Sequence, residues 1–444
     1  MIRPPAISAV ATPADARDLS ERLDAAVGRG FVGAGLAHRT DLAARLARTL
    51  PQAGSGMVPD AISGETLARA LGLSRAAVHK HVDHLRTLGF TIGSLPGAGY
   101  RLERPFADLV AGEAVLPFLF GLVWPETPWI AGLPYSYLPC CESTNLSLKE
   151  LVAPGPDVGG RAVDMPGPHP APDVEAGLGA LPAGALVVTD EQTGGRGRLG
   201  RVWSSEPGND LTFSVLLRPS LAPAQAHLLS LAAALAVAEV LETLPDLAGR
   251  VAVKWPNDVL LGGEKVCGIL LEGSMDADRL HWAVAGIGLN VNSTPSALVA
   301  ALAPEQAEAW AGRPHPVSLR ESLGREVPRA PLLATLLVRL TSRWADLEDD
   351  LGRDPDEGPC LDGRTGAGGP GDSGAARVLA ALRQRDALAG RQVEVLSGPR
   401  RQGREVVASG EAVGIGPEGQ LLVRVASGET VAVFAGDATL RAVN

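Results

Sequence analysis

"TDEQTGGRGRLGRVWSS" (Thr189–Ser205) sets Gly195, Gly197 and Gly200 in the spacing G-x-G-x-x-G, and the reading of this stretch decides the fold. A dinucleotide-binding turn leaves a strand and opens a helix whose N-terminus holds the pyrophosphate. The strand is present, since "ALVVTDEQ" (Ala185–Gln192) has the apolar run of a buried strand. The helix is not: "VWSSEPGND" is rich in turn residues, and "LTFSVLLRP" behind it is a second strand. Arg196, Arg198 and Arg201 also place three guanidiniums where a Rossmann turn needs mainly bare backbone. The order strand, loop, strand therefore excludes a Rossmann unit. What remains is either a solvated surface loop or a loop that uses glycine for mobility and arginine to grip an anion.

The whole chain narrows the choice. Its 444 residues allow about three domains. Cys140, Cys141, Cys267 and Cys360 show no C-x-x-C spacing and no histidines at ligand intervals, so reduced thiols in a cytoplasm and no metal site are expected. The longest apolar stretch, "LLSLAAALAVA" (Leu228–Ala238), ends at Glu239 and is too short to span a bilayer, so no membrane partner is expected. A net charge of -10 argues against a chain coated for nucleic acid, leaving room only for a local basic patch. Of 40 basic residues only Lys80, Lys149, Lys254 and Lys265 are lysines. A chain that writes positive charge as arginine and then places two lysines within twelve positions points to sites that need a compact ammonium.

Two Pro/Gly-rich stretches, 153–184 and 352–376, lack the apolar content of a core and read as mobile insertions or linkers. Ahead of them, "DLAARLARTL", "SGETLARALG" and "SRAAVHKHVDHLRTLG" read as three helices, the last two N-capped by Ser63 and Ser74. A short helix, a glycine turn and a longer helix with early alanines is helix-turn-helix grammar, and Ser74, Arg75, His79 and Lys80 are the expected DNA-facing residues. "FTIGSLPGAGYRL" forms the hairpin wing. His79, His81 and His84 splay round the helix at i, i+2, i+5 and do not make a metal set. The residues before Thr40 hold one possible helix, "ADARDLSERLDAAV". In the centre, Leu228–Leu244 reads as a core helix, with "RVAVKW", "KVCGILLEG" and "HWAVAGIGLNVN" as strands of one sheet. From Gly390 onward short strands between glycine turns suggest a small β-barrel.

Four polar clusters punctuate the centre: "CESTN" (Cys141–Asn145), "QTGGRGRLGR" (Gln192–Arg201), "KWPND" (Lys254–Asp258) and "EKVCGIL" (Glu264–Leu270). In this order, with the winged helix before them and "FAGDATLR" after them, they resemble the bifunctional biotin protein ligases, or biotin-[acetyl-CoA-carboxylase] ligases, that also act as biotin operon repressors. The resemblance runs from about Thr40 to the C-terminus, minus the two insertions. It implies an α+β chain: an N-terminal extension (1–39), a winged helix-turn-helix (40–103), a class II synthetase-like mixed-sheet ligase domain (110–351, with the insertion 153–184), a linker (352–376) and an SH3-like C-terminal β-barrel (388–444).

The chemistry so implied joins biotin to AMP from ATP and passes it to a lysine of the biotin carboxyl carrier protein. Activating a carboxylate on a triphosphate sets anion against anion, so cations and Mg²⁺ must offset the repulsion. The mixed anhydride must then be shielded from water by a closing loop. By resemblance, Ser143, Thr144, Asn145 and Gln192 bind biotin, and Arg196, Gly197 and Arg198 enclose it. Lys265 sits between carboxylate and α-phosphate with Lys254 behind the phosphates, while Gly286 and Gly288 leave room beside a strand. Trp203, Asn257, Asn290 and Arg441 contact the nucleotide, and Trp255 is a core aromatic. Asp258 is expected to orient or deprotonate the acceptor lysine. Operator DNA and a homodimer of the adenylate-bound protein are the further partners implied. A lipoate ligase of the same fold and a ligand-sensing repressor without catalysis are the competing readings. The N-terminal extension and the two insertions depart from the family pattern.

Overall fold

A computed structural model describes residues 16–51, 60–152, 181–294, 315–351, 373–397 and 405–440. Arg441 and most of both Pro/Gly-rich stretches lie outside them.

Ser63 and Ser74 do what their positions predict. Each side chain accepts the N–H of the residue three further on, Thr66 at 3.0 Å and Ala77 at 3.1 Å, and so starts α3 (Gly64–Leu71) and α4 (Arg75–Thr87). Gly72, at φ 65°, ends α3 in the left-handed conformation that makes the turn. β1 (Ile92–Leu95) and β2 (Gly99–Leu102) pair antiparallel as the wing. In front stand α1 (Ala16–Gly28) and α2 (Ala34–Ala47). The helix expected to begin at Asp41 thus begins at Ala34, crossing the expected boundary at 39/40. No proline interrupts the pattern before Pro51, and Ala37 is buried on the same helix as Leu42 and Leu46. The N-terminal helix is no appendage, since Leu19, Leu23 and Ala26 are buried in the core.

The central sheet has seven strands in the order β3-β4-β5-β9-β8-β7-β6. They are β3 (Tyr135–Cys141), β4 (Leu186–Gln192), β5 (Leu211–Leu217), β6 (Val251–Lys254), β7 (Asp258–Leu261), β8 (Glu264–Met275) and β9 (Leu280–Leu289). Only β3 and β4 run parallel; β4 and β5 are antiparallel, which is incompatible with a Rossmann unit at the glycine loop. One face of the sheet, with Phe213, Val215, Ile269 and Ile287, belongs to the main core together with the apolar helix α7 (His227–Leu241) and α9 (Arg329–Leu351). Between β9 and α9 runs the short α8 (Leu319–Leu323). The helical run Pro223–Leu241, which contains α7, is long and apolar enough to cross a membrane by length and composition, but it is mostly buried inside the protein as a core helix. The opposite face carries α6 (Thr144–Val152), whose Leu148 packs on Val187, Leu216 and Val284. Between wing and sheet lies α5 (Gly112–Leu119).

After the second Pro/Gly-rich stretch comes α10 (Gly374–Arg383), N-capped by Ser373. The linker expected to reach 376 therefore ends earlier. "SGAARVLAALR" is a capped Ala/Leu helix whose start was hidden by the glycines before it. The C-terminal strands β10 (Gln392–Ser397), β11 (Glu405–Ile415), β12 (Leu421–Val425), β13 (Thr430–Val433) and β14 (Asp437–Leu440) form a five-stranded antiparallel sheet in the order β13-β12-β11-β10-β14. Trp255 is fully buried and donates its Nε1–H to Gly419 O at 3.1 Å, joining this sheet to the central one as a core aromatic.

Candidate active site

Strand register explains why residues scattered over the sequence meet. Thr212 on β5, Gly288 on β9, Gly268 on β8, Asp258 on β7 and Lys254 on β6 are successive partners across five strands. Ser214, Gly286 and Leu270 form the adjacent row on the same face. Lys265 joins this face through a bulge. The register slips between Val259, paired with Cys267, and Leu260, paired with Lys265, leaving Val266 as the extra residue. The odd interval K-x-x-G thereby turns Lys265 and Gly268 the same way.

The two glycines on β9 line the pocket, and protein side chains lie against their bare backbone. A Cβ on Gly286 would lie 2.1 Å from Asn145 Oδ1, and one on Gly288 would lie 2.2 Å from Trp203 Cε2. The asparagine amide and the indole themselves lie flat on the bare backbone. Around Asn145 the amide is held at both its atoms. Ser214 Oγ is 2.6 Å from Asn145 Oδ1 and 2.7 Å from Thr144 Oγ1, and Gln192 Oε1 accepts the Thr144 N–H at 2.8 Å. Ser143 and Asn145 are buried beside them.

Charge is concentrated on the other row. Lys265 Nζ is 2.7 Å from Asp258 Oδ1, and the buried Lys254 Nζ is 3.7 Å from Oδ2. Burial alone would raise the Asp258 pKa, but the two ammoniums outweigh it and hold the carboxyl at about 2. Asp258 is thereby held as a carboxylate between the two ammoniums. Burial pushes the Lys254 ammonium below its usual range, against the pull of Asp258 and Asp437.

The glycine loop closes over these rows as a tight hairpin. Arg196 and Val202 bridge, Gly197 N–H bonds Arg201 O at 2.8 Å, and Trp203 N–H bonds Gly195 O at 3.0 Å. Its arginines are all engaged. Arg196 pairs with Glu142 at 2.6 Å, Arg198 reaches Asn257 Oδ1 and Gly436 O at 3.2 Å each, and Arg201 pairs with Asp437. Asp437 and Gly436 come from the C-terminal sheet, so that sheet supplies one wall. Even so, the lining carries Arg196, Arg198, Arg201, Lys254 and Lys265 against Asp258 and Asp437, an excess of positive charge suited to a polyanion. Trp203 Nε1 and Asn290 Oδ1, both in the lining, are buried without hydrogen-bond partners, offering one donor and one acceptor to a ligand.

The structure thus gathers Ser143, Thr144, Asn145, Gln192, Arg196, Gly197, Arg198, Trp203, Lys254, Asn257, Asp258, Lys265, Gly286, Gly288 and Asn290 into one pocket. Arg441 falls outside the described residues. Sequence reasoning missed Thr212 and Asp437 in the lining, and Ser214 and Glu272 behind it. Ser214 and Thr212 were readable as alternate positions of "LTFSVLL", where polar residues interrupt an apolar strand. Far from the pocket, Ser74, Arg75, His79 and Lys80 are exposed on or at the start of α4. His79 leans on Tyr100 and Asp83, at 3.2 and 3.4 Å, instead of joining His81 and His84.

Comparison with known proteins agrees with the helix-turn-helix and with the central sheet. A family model described as the biotin/lipoate A/B protein ligase family matches residues 174–290, and an HTH domain model matches 59–101. The bifunctional ligase/repressor BirA of Bacillus subtilis is 32% identical over 308 residues, 69% of this chain and 80% of its own. BirA of Escherichia coli is 33% identical over 229 residues, 52% of this chain and 59% of its own. The solved biotin protein ligase from Aquifex aeolicus in complex with biotin and ATP is 24% identical with a TM-score of 0.45, covering 69% of this chain and 97% of that one. With a register-built anion pocket behind an arginine lid and a capped helix-turn-helix ahead of it, the chain belongs to the bifunctional ligase/repressor family of biotin protein ligases.

Proposed function

We propose that the pocket forms biotinyl-5′-AMP from biotin and ATP and that the chain then transfers biotin to a lysine of the biotin carboxyl carrier protein. The observation that carries this is the row Gly288–Gly268–Asp258–Lys254 with Lys265 beside it, which places two ammoniums on one carboxylate under an arginine lid. Lys265 bridges the biotin carboxylate and the α-phosphate, and Lys254 faces the phosphates. Ser143, Thr144, Asn145 and Gln192 read the ureido ring. Trp203, Asn257 and Asn290 hold the nucleotide. Mg²⁺ enters with the triphosphate: both carboxylates in the lining are tied to cations, and among the described residues no group of three metal-ligating side chains stands ready to hold it alone. The chain's own contribution is to offset charge, orient the two substrates and exclude water while the anhydride exists.

The exposed basic face of α4 docks on operator DNA, and the adenylate-bound protein pairs as a homodimer to repress. The five-stranded C-terminal sheet, with its long β11 bulged between Ala412 and Gly414, is read as an SH3-like barrel that caps the site. The domain division read from the sequence is kept with two changes: the N-terminal extension joins the DNA-binding domain, and the second linker ends before Ser373. Biotin-dependent ATP/pyrophosphate exchange tests the reading. Exchange with biotin is expected, whereas none with biotin, or exchange driven by lipoate instead, overturns it.

A further inference from the structure

Asn145 and Lys149 are one turn apart on α6, so they share a face of the helix. Both reach the same side chain. Asn145 Nδ2 donates to Glu272 Oε2 at 2.7 Å, and Lys149 Nζ lies 2.7 Å from Glu272 Oε1. Glu272 stands on β8 two residues past Leu270 and opposite Val284, one row beyond the Ser214–Gly286–Leu270 row on which Asn145 rests. This is where the chain uses one of its four lysines.

From this geometry we propose that Glu272 is a positioning residue for biotin: its carboxylate, charge-paired with Lys149, fixes which way the Asn145 amide faces the pocket. An asparagine amide has two nearly isosteric orientations, one donating where the other accepts. Here three contacts agree on one of them: Glu272 Oε2 at 2.7 Å and, more weakly, Leu270 O at 3.4 Å accept from the amide nitrogen, and Ser214 Oγ donates to the oxygen. Glu272 accepts only, so it selects the nitrogen. Ser214 Oγ, at 2.6 Å, meets the oxygen. Gly286, which has no Cβ, lets the amide lie against the strand, where any larger residue would drive it off. Burial alone would raise the Glu272 pKa, but the Lys149 and Asn145 hydrogen bonds hold it below the usual carboxylate value, so it stays an acceptor. The inference rests on the assignment of Asn145 to the biotin subsite.

Glu272→Gln keeps size and removes the obligate acceptor. The KM for biotin in ATP/pyrophosphate exchange is expected to rise roughly tenfold to a hundredfold, the usual effect of losing one hydrogen bond to a charged group, with kcat, the KM for ATP and the melting temperature nearly unchanged. Because Glu272 acts through Asn145, Glu272→Gln should add nothing in an Asn145→Ala background. A wild-type biotin KM in Glu272→Gln, or losses that add in the double variant, overturns the inference. A normal biotin KM in Asn145→Ala overturns instead the subsite on which it rests. Should Glu272→Gln fail to fold, the swap decides. Asn145→Asp sets two carboxylates face to face, and adding Glu272→Gln must recover biotin binding relative to Asn145→Asp alone; no recovery refutes the contact's role.

Discussion

Lys265 Nζ and Lys254 Nζ share one carboxylate, Asp258, at 2.7 and 3.7 Å. One negative charge cannot satisfy two ammoniums, so the pair is held in place yet keeps net positive charge for an incoming phosphate. Lys265 is the more accessible of the two, since Lys254 is only 4% exposed. Lys265→Ala should therefore cut biotin-dependent ATP/pyrophosphate exchange by roughly 10²-fold or more, as for other lost transition-state donors, while the protein remains folded. Exchange within a few-fold of wild type would show that Lys265 is not the bridging cation.

Asp258→Asn should change the pH profile in a definite direction. Burial already pushes the Lys254 ammonium down, and Asp258 is the largest force pulling it back. Without that carboxylate Lys254 loses its proton more easily, and an uncharged amine no longer holds phosphate. The alkaline limb of the exchange reaction is thus expected at lower pH than in wild type; an unmoved limb refutes it. On the acid side, Asp258 has its folded pKa at about 2, below the unfolded value. Its contribution to stability is whole above the ordinary carboxylate range and lost as pH falls through about 2.

Gly288→Ala tests whether the indole of Trp203 is held where a nucleotide needs it. The new methyl would lie 2.2 Å from Trp203 Cε2, and a ring packed on Gly288 and Gly268 has to move as a body. The KM for ATP should rise roughly tenfold, in keeping with the 1–3 kcal/mol usual for overpacking. Unaltered ATP kinetics would separate Trp203 from the nucleotide.

The sequence was informative where one local rule acts alone. Ser63 and Ser74 announced two helices, and the strand after "GGRGRLGRVWSS" excluded a Rossmann unit before any coordinates. It was silent where three-dimensional register acts. Nothing local in "EKVCGIL" tells that Val266 is the bulged residue, yet that bulge is what brings Lys265 to Asp258. Nor does a lone Glu272 in an apolar strand reveal that Asn145 and Lys149 meet it from 127 and 123 residues away. Ala/Leu helix α10 was masked by neighbouring composition, and α2 begins at Ala34, running through Gly35 with no proline between Gly33 and Thr40.

On α4, Arg75 and Lys80 are exposed and project from a helix whose other face, Val78, Val82 and Leu85, is buried. Each neutralises about one phosphate if it contacts DNA, so Arg75→Ala and Lys80→Ala should each weaken operator binding and lower the slope of log affinity against log salt by about 1. Titrations at several salt concentrations give that slope, and an unchanged value in both variants would place the DNA elsewhere. Ser74→Ala serves as contrast, expected to cost about 1 kcal/mol of stability through the lost cap.

The lid is fastened at two points to the C-terminal segment, Arg201 to Asp437 and Arg198 to Gly436 O, at a third to Asn257 and at a fourth from Arg196 to Glu142. Two of these four contacts run to the segment that leads into β14, so the lid's position depends on the C-terminal strands as well as on the ligand. Arg198→Gly removes two tethers together and adds backbone freedom to a loop that already contains Gly195, Gly197 and Gly200. Adenylate should then escape before transfer and label lysines of an unrelated protein added as bystander. Asp437→Asn leaves the loop sequence intact but frees Arg201, so it should show the same leak more weakly. Both variants should still form adenylate, because Lys265 and Lys254 are untouched. Bystander labelling equal to wild type in both variants would mean that the loop retains the intermediate without the Arg198 and Arg201 tethers, and a loss of adenylate formation in Asp437→Asn would place that carboxylate in the chemistry itself.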